Sequence, residues 1–119
     1  MGADSVSIGY FRLKKGLVMA HPIDEITIHY EEDNVVKVKE LKKEILTRGV
    51  WSTIMFLYQD FVPTQNAFGP QKISIRRYKK VGDRYIQQSK FNISGAGQAK
   101  KVSDQILAWL PEMGQDTAE

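Results

Sequence analysis

The chain contains no cysteine, which excludes disulfides, thiolate nucleophiles and cysteine-ligated zinc or iron–sulfur centres. Its two histidines, His21 and His29, fall in no ligand pattern, so a metal site and imidazole general-base catalysis lack their residues. No stretch approaches about 18 apolar residues, and Asp4, Arg12, Lys14 and Lys15 interrupt any signal-peptide core. The expectation is a cytoplasmic protein, nucleoid-associated if bacterial, without a membrane partner. Acid is also scarce in one region. Residues Lys72 to Lys101 hold nine of the seventeen Lys and Arg but only one of the fourteen Asp and Glu, Asp83.

That local scarcity polarises the molecule. Nine bases against one acid give the segment +8, and eight bases against thirteen acids leave −5 elsewhere, behind a total of only +3. Inert surfaces mix both signs. Here cations instead alternate with Tyr78, Tyr85 and Phe91, a combination suited to a ligand that offers both phosphates and stackable bases.

The length of 119 residues fits one domain able to bury one core. We expect a weakly patterned N-terminal extension over 1–22, one α+β domain over 23–111 and a disordered acidic tail over 112–119. Ile26, Ile28 and Tyr30 alternate with polar residues as in a strand, closed by the turn Glu31-Glu32-Asp33-Asn34. Residues 35–46 fit either a strand, through Val36 and Val38, or a short helix, through Val38, Leu41 and Ile45. Val50 to Phe61, rich in β-branched and aromatic residues, predicts a strand apolar on both faces. Trp51, Met55 and Leu57 share one face; Ile54, Phe56 and Tyr58 share the other. One helix does not easily cover both faces, so a second subunit or a bound ligand is expected to share the task, and a homodimer is the expected assembly. Pro63 to Pro70 reads as a loop.

Gln71 to Lys80 and Arg84 to Ile93 flank Val81-Gly82-Asp83 and predict a hairpin. Pairing Lys80 with Arg84 places Lys72, Arg76, Tyr78, Lys80, Arg84 and Lys90 on one face. Ile73, Ile75, Tyr85, Phe91 and Ile93 then form the core side, an assignment that a one-residue slip inverts. A helix capped by Ser94 follows, with the stripe Ala99, Val102, Ile106, Trp109 and Leu110 directed to packing and Pro111 at its end.

A curved antiparallel sheet of about four strands followed by one C-terminal helix is therefore expected. With Ile73-Ser74-Ile75-Arg76-Arg77-Tyr78 before the turn and Lys90-Phe91-Asn92-Ile93-Ser94 before the helix, residues 40–110 resemble the positive-cofactor-four family of transcriptional coactivators and its bacterial relatives. The resemblance implies a homodimer that binds single-stranded DNA, with Arg76 and Lys90 as basic contacts and Phe61, after Gln59-Asp60, as an aromatic one. Gln59 stands where the family usually has arginine, Lys79 where it has a stacking tryptophan, and Asn92 near a usual glycine.

The expected ligand is thus single-stranded DNA or RNA, bound with little sequence preference in transcription regulation or DNA maintenance, without a cofactor. Lys72, Arg76, Lys80, Arg84 and Lys90 contact phosphates, Tyr78 and Phe61 stack, and Lys42, Lys43 and Arg48 extend the track. The rival reading is an oligomeric interaction module whose basic face meets an acidic protein. An enzyme is disfavoured: Gly95-Ala96-Gly97 lacks the Lys-Ser or Lys-Thr of a phosphate-binding loop, and only Asp60 and Asp83 adjoin the basic face.

Overall fold

A computed structural model describes residues 23–114 and Asp116. The expected extension over 1–22 and the end of the expected tail lie outside the described residues. The fold is α+β: a curled antiparallel sheet followed by one C-terminal helix. The strands are β1 (Tyr30–Glu32), β2 (Val35–Thr47), β3 (Trp51–Val62), β4 (Ala67–Phe68), β5 (Lys72–Val81) and β6 (Arg84–Ile93), and the helix is α1 (Ala96–Trp109). Sheet order is β1-β2-β3-β5-β6, with β4 paired to β3. Six strands thus replace the expected four, because two short pairings add β1 and β4. The second of these lies inside the expected loop, where Asn66 takes a left-handed conformation and Gly69 N–H donates to the Asp60 carbonyl at 2.9 Å.

Residues 35–46, equally compatible with strand or helix, are extended. The β1–β2 turn explains why: Asp33 and Asn34 both have positive φ (53° and 65°), as a two-residue type I′ hairpin needs. Register shifts between Tyr30 and Glu31, between Glu40 and Lys42 and between Ile45 and Thr47 leave Lys37, Leu41 and Leu46 as extra residues in β2. Such bulges bend a strand and increase its twist, which curls the sheet.

Two sheet faces result. The core face carries Ser52, Ile54, Phe56 and Tyr58 of β3, opposed by Tyr78, Arg76, Ser74 and Lys72 of β5. Ile23, Ile26 and Ile28 close over it, and Val38, Ile45 and Tyr85 pack at its edge. The opposite, open face carries Met55, Leu57, Ile73, Ile75 and Phe91, which stay half-buried or exposed. This corrects the expectation that Ile73, Ile75 and Phe91 mark the core side. Both faces of β3 are apolar, so the choice depends on where residues 23–28 lie, and polar side chains of β2 decide that. Lys43 Nζ donates to the carbonyls of Ile23 (3.2 Å), Asp24 (2.7 Å) and Ile26 (2.5 Å). Glu40 accepts from Thr27 Oγ1 at 2.6 Å and Ile28 N–H at 3.2 Å. Ile26 and Ile28 are therefore strapped across the sheet rather than paired as a strand, and pairing begins only at Tyr30.

The β5–β6 hairpin forms with a different register from the one expected. Val81 pairs with Arg84 across a two-residue Gly82-Asp83 turn, where Gly82 (φ 65°) supplies the positive φ of the first central position. Lys80 consequently opposes Tyr85 and Tyr78 opposes Gln87. Beyond an extra residue at Gln88, Arg76 opposes Lys90 and Ser74 opposes Asn92. Near the turn the expected faces are exchanged, so Arg84 moves to the open face and Tyr85 to the core face. Past the bulge they are restored.

Helix α1 starts after Gly95, which makes no side-chain cap. Ser94 instead binds the side chain of Gln98, whose Oε1 accepts from Ser94 N–H at 2.9 Å and from Ser94 Oγ at 3.2 Å. No residue of α1 is buried. Trp109, expected to pack, is 59 % exposed.

Candidate nucleic-acid interface

Alternation along β5 sends Lys72, Arg76 and Lys80 to the core face and Arg77 and Lys79 to the open face. Because Ser74 lies between Lys72 and Arg76 and is fully buried, its hydroxyl needs partners. Ser74 Oγ donates to Asn92 Oδ1 at 2.6 Å and accepts from Arg76 Nε at 3.0 Å, while Arg76 Nη1 donates to Gln87 Oε1 at 3.0 Å. The guanidinium is thereby held from two sides by neutral groups, which fix its direction without cancelling its charge. Lys90 stands directly opposite it. Like charges facing each other across an antiparallel pair are destabilising. Neither has a carboxylate within 4.0 Å among the described residues.

The remaining candidates divide. Lys80 is exposed on the same face, toward the turn. Lys72 belongs to that row but is half-buried and pairs with Asp60 at 3.1 Å, which raises its pKa above the ordinary value. Tyr78, expected to stack on bases, is 5 % exposed and belongs to the core. Its ring packs in the core cluster with Ile23, Ile26 and Ile28, and burial pushes its hydroxyl pKa to about 12. Lys43, expected on the track, spends its ammonium on the three carbonyls of the strap, and burial lowers its pKa. Arg48 pairs with Asp24 at 2.9 Å. Lys42 and Arg84 lie on the open face. Phe61 lies at the far end of that face in an edge-to-face pair with Phe68, 5.6 Å between centroids at 76°, and Lys39 Nζ sits 4.4 Å from the Phe68 ring.

Lys72, Arg76, Lys80 and Lys90 are therefore the expected residues that the fold brings together. Two positions were missed in the sequence. Gln87 and Asn92 orient Arg76, and only the true register identifies them. Trp51, placed from the sequence on an apolar face with Met55 and Leu57, is 38 % exposed, with Arg77 Cζ 4.6 Å and Lys79 Nζ 5.5 Å from its ring. Their even spacing from Thr53 and Trp51 across β3–β5 was the available signal. Among the described residues no three His, Cys, Asp or Glu gather as metal ligands, and no helix is long and apolar enough to cross a membrane. In comparisons with known proteins, no family model, curated protein or solved structure matches the chain.

Proposed function

We propose that this protein binds single-stranded nucleic acid, DNA foremost, with little sequence preference, and acts in transcription regulation or DNA maintenance. The observation that carries this reading is the directly opposed pair Arg76–Lys90, of which Arg76 is pre-oriented by neutral hydrogen bonds and neither is compensated by acid among the described residues. A phosphodiester between the two relieves their repulsion and takes charge-assisted hydrogen bonds. Lys80 and Lys72 continue the row, the latter by exchanging Asp60 for phosphate. The resemblance to the positive-cofactor-four family supports the same reading through Arg76, Lys90 and the strand-to-helix order.

The functional unit we propose is a homodimer. Val102, Ile106, Trp109 and Leu110 form an unburied stripe on α1, while Met55, Leu57, Ile73, Ile75 and Phe91 form an uncovered patch on the open face. Apolar surface of this extent in one molecule marks an interaction site. Two copies related by a two-fold axis offer each other both halves of the interface, with each helix laid on the other's sheet. The basic row on the core face remains outside this contact.

Fluorescence anisotropy with labelled oligonucleotides tests the function. A thymine-rich single strand should bind more tightly than a duplex of equal length, since its flexible backbone can bring successive phosphates to Lys72, Arg76, Lys80 and Lys90 where a stiff duplex cannot. Equal affinity for polyglutamate would favour the acidic-protein reading instead.

A further inference from the structure

The burial of Tyr78 leaves the basic row without an aromatic platform beside it, and the exposed tryptophan at the start of β3 has the properties of one. Trp51 lies opposite Lys79, with Arg77 opposite Thr53 two positions along, so both cations reach the indole from the neighbouring strand. One cation over a ring is ordinary packing. Two on one ring, with no carboxylate within 4.0 Å of either among the described residues, repel each other and call for an anion. The backbone beneath is pinned. Ser52 is fully buried, accepts from Gly49 N–H at 3.2 Å and donates to the Gly49 carbonyl at 3.0 Å, and Lys80 N–H donates to the Val50 carbonyl at 2.7 Å. The ring is thus presented on a fixed strand end rather than on a mobile loop, so little ordering is needed when a ligand arrives.

We propose that Trp51, Arg77 and Lys79 form a nucleotide subsite on the open face: an unpaired base stacks on the exposed part of the indole, and its phosphate lies between the guanidinium and the ammonium. The proposal rests on the single-strand-binding reading and extends it to a second sheet face. The hairpin tip links the two. There Lys80 faces one way and Lys79 and Arg84 the other, so a single strand running off the Arg76–Lys90 row around Gly82 meets cations on both sides. An acidic peptide satisfies the charges but not the indole, which is why a nucleotide fits this site better.

The chain has two tryptophans, so Trp109→Phe makes Trp51 the sole reporter. Titrating that variant with oligothymidylate should quench its fluorescence along the same curve as the anisotropy of a labelled oligonucleotide. Trp51→Ala should weaken binding by roughly 5- to 150-fold, the usual range for losing one stacked base, while Trp51→Phe retains most of the affinity. Arg77→Gln with Lys79→Gln should reduce the slope of log affinity against log salt by about 0.7, the loss of the one phosphate they share. Anisotropy that reports binding while Trp51 stays unquenched would overturn the subsite and leave the wider reading standing. No anisotropy change with any oligonucleotide would overturn both.

Discussion

At the scale of single residues, β5 places a half-buried cation and a core contact two positions apart. Arg76 and Tyr78 share a face, yet one is held by neutral partners with no carboxylate within 4.0 Å among the described residues and the other is sealed under the strap. The consequence for Tyr78 is measurable. Burial is the largest cause of its raised pKa, and the charge of Arg76 opposes the shift without cancelling it. In the unfolded chain the hydroxyl ionises at its ordinary value of 10.0, in the fold at about 12. Between these values the folded state binds more protons than the unfolded one. The contribution of Tyr78, about 2–3 kcal/mol, is therefore complete below pH 10 and lost as pH rises to about 12. Tyr58, also raised by burial, acts in the same direction. Lys43, whose pKa is lowered, acts oppositely, adding stability as pH rises toward 10.5. Urea unfolding from pH 9 to 12 should show stability falling above pH 10, and Tyr78→Phe should flatten most of that fall. An unchanged pH profile in the variant would show the hydroxyl to be solvated.

At the scale of elements, the legible features were those with local chemical causes. Gly82 marked the hairpin, the β-branched and aromatic run marked β3, and the period of Val102, Ile106 and Trp109 marked α1. Register was not legible, because it depended on whether Val81 belongs to the turn or to the strand. Gly-Asp fits both loop lengths, and nothing in Gln87-Gln88-Ser89 announces a bulge. That difference moved Arg84 and Tyr85 across the sheet while leaving Lys90 beside Arg76. The core side was hidden for another reason. β3 is apolar on both faces, and the deciding contacts, Lys43 and Glu40 to the strap, join residues 12 to 20 apart in sequence. α1 shows the reverse case, an apolar stripe whose helical period was legible but which, expected to pack, is left exposed among the described residues. Placing a charge in the stripe with Ile106→Asp should shift sedimentation from dimer to monomer at micromolar concentration with helix content by circular dichroism nearly unchanged. A wild type already monomeric under those conditions would remove the dimer from the account.

At the scale of the whole molecule, the described residues form a thin body, 17 Å across its shortest axis against 49 and 40 Å along the others. So flat a body cannot bury both sheet faces by itself. One face holds the core and the row Lys72, Arg76, Lys80 and Lys90 at its rim; the other carries half-buried or exposed apolar residues and, at the end bearing Trp51, cations and an aromatic ring. Because each phosphate held releases counterions, the row should be visible as a salt dependence. The most direct measurement is the affinity for a labelled oligothymidylate across a salt series, with wild type, the double variant Arg76→Ala with Lys90→Ala, and Lys100→Ala with Lys101→Ala on the helix. Four neutralised phosphates, one shared by Arg76 and Lys90, one each at Lys72 and Lys80 and one at the Trp51 subsite, give a slope of log affinity against log salt near −2.8, at roughly −0.7 per phosphate. The Arg76 and Lys90 double variant should flatten it to about −2.1, and the helix variant should leave it unchanged. No binding at low salt, or equal flattening by the helix variant, would contradict the account and make the basic row a solvated sheet surface.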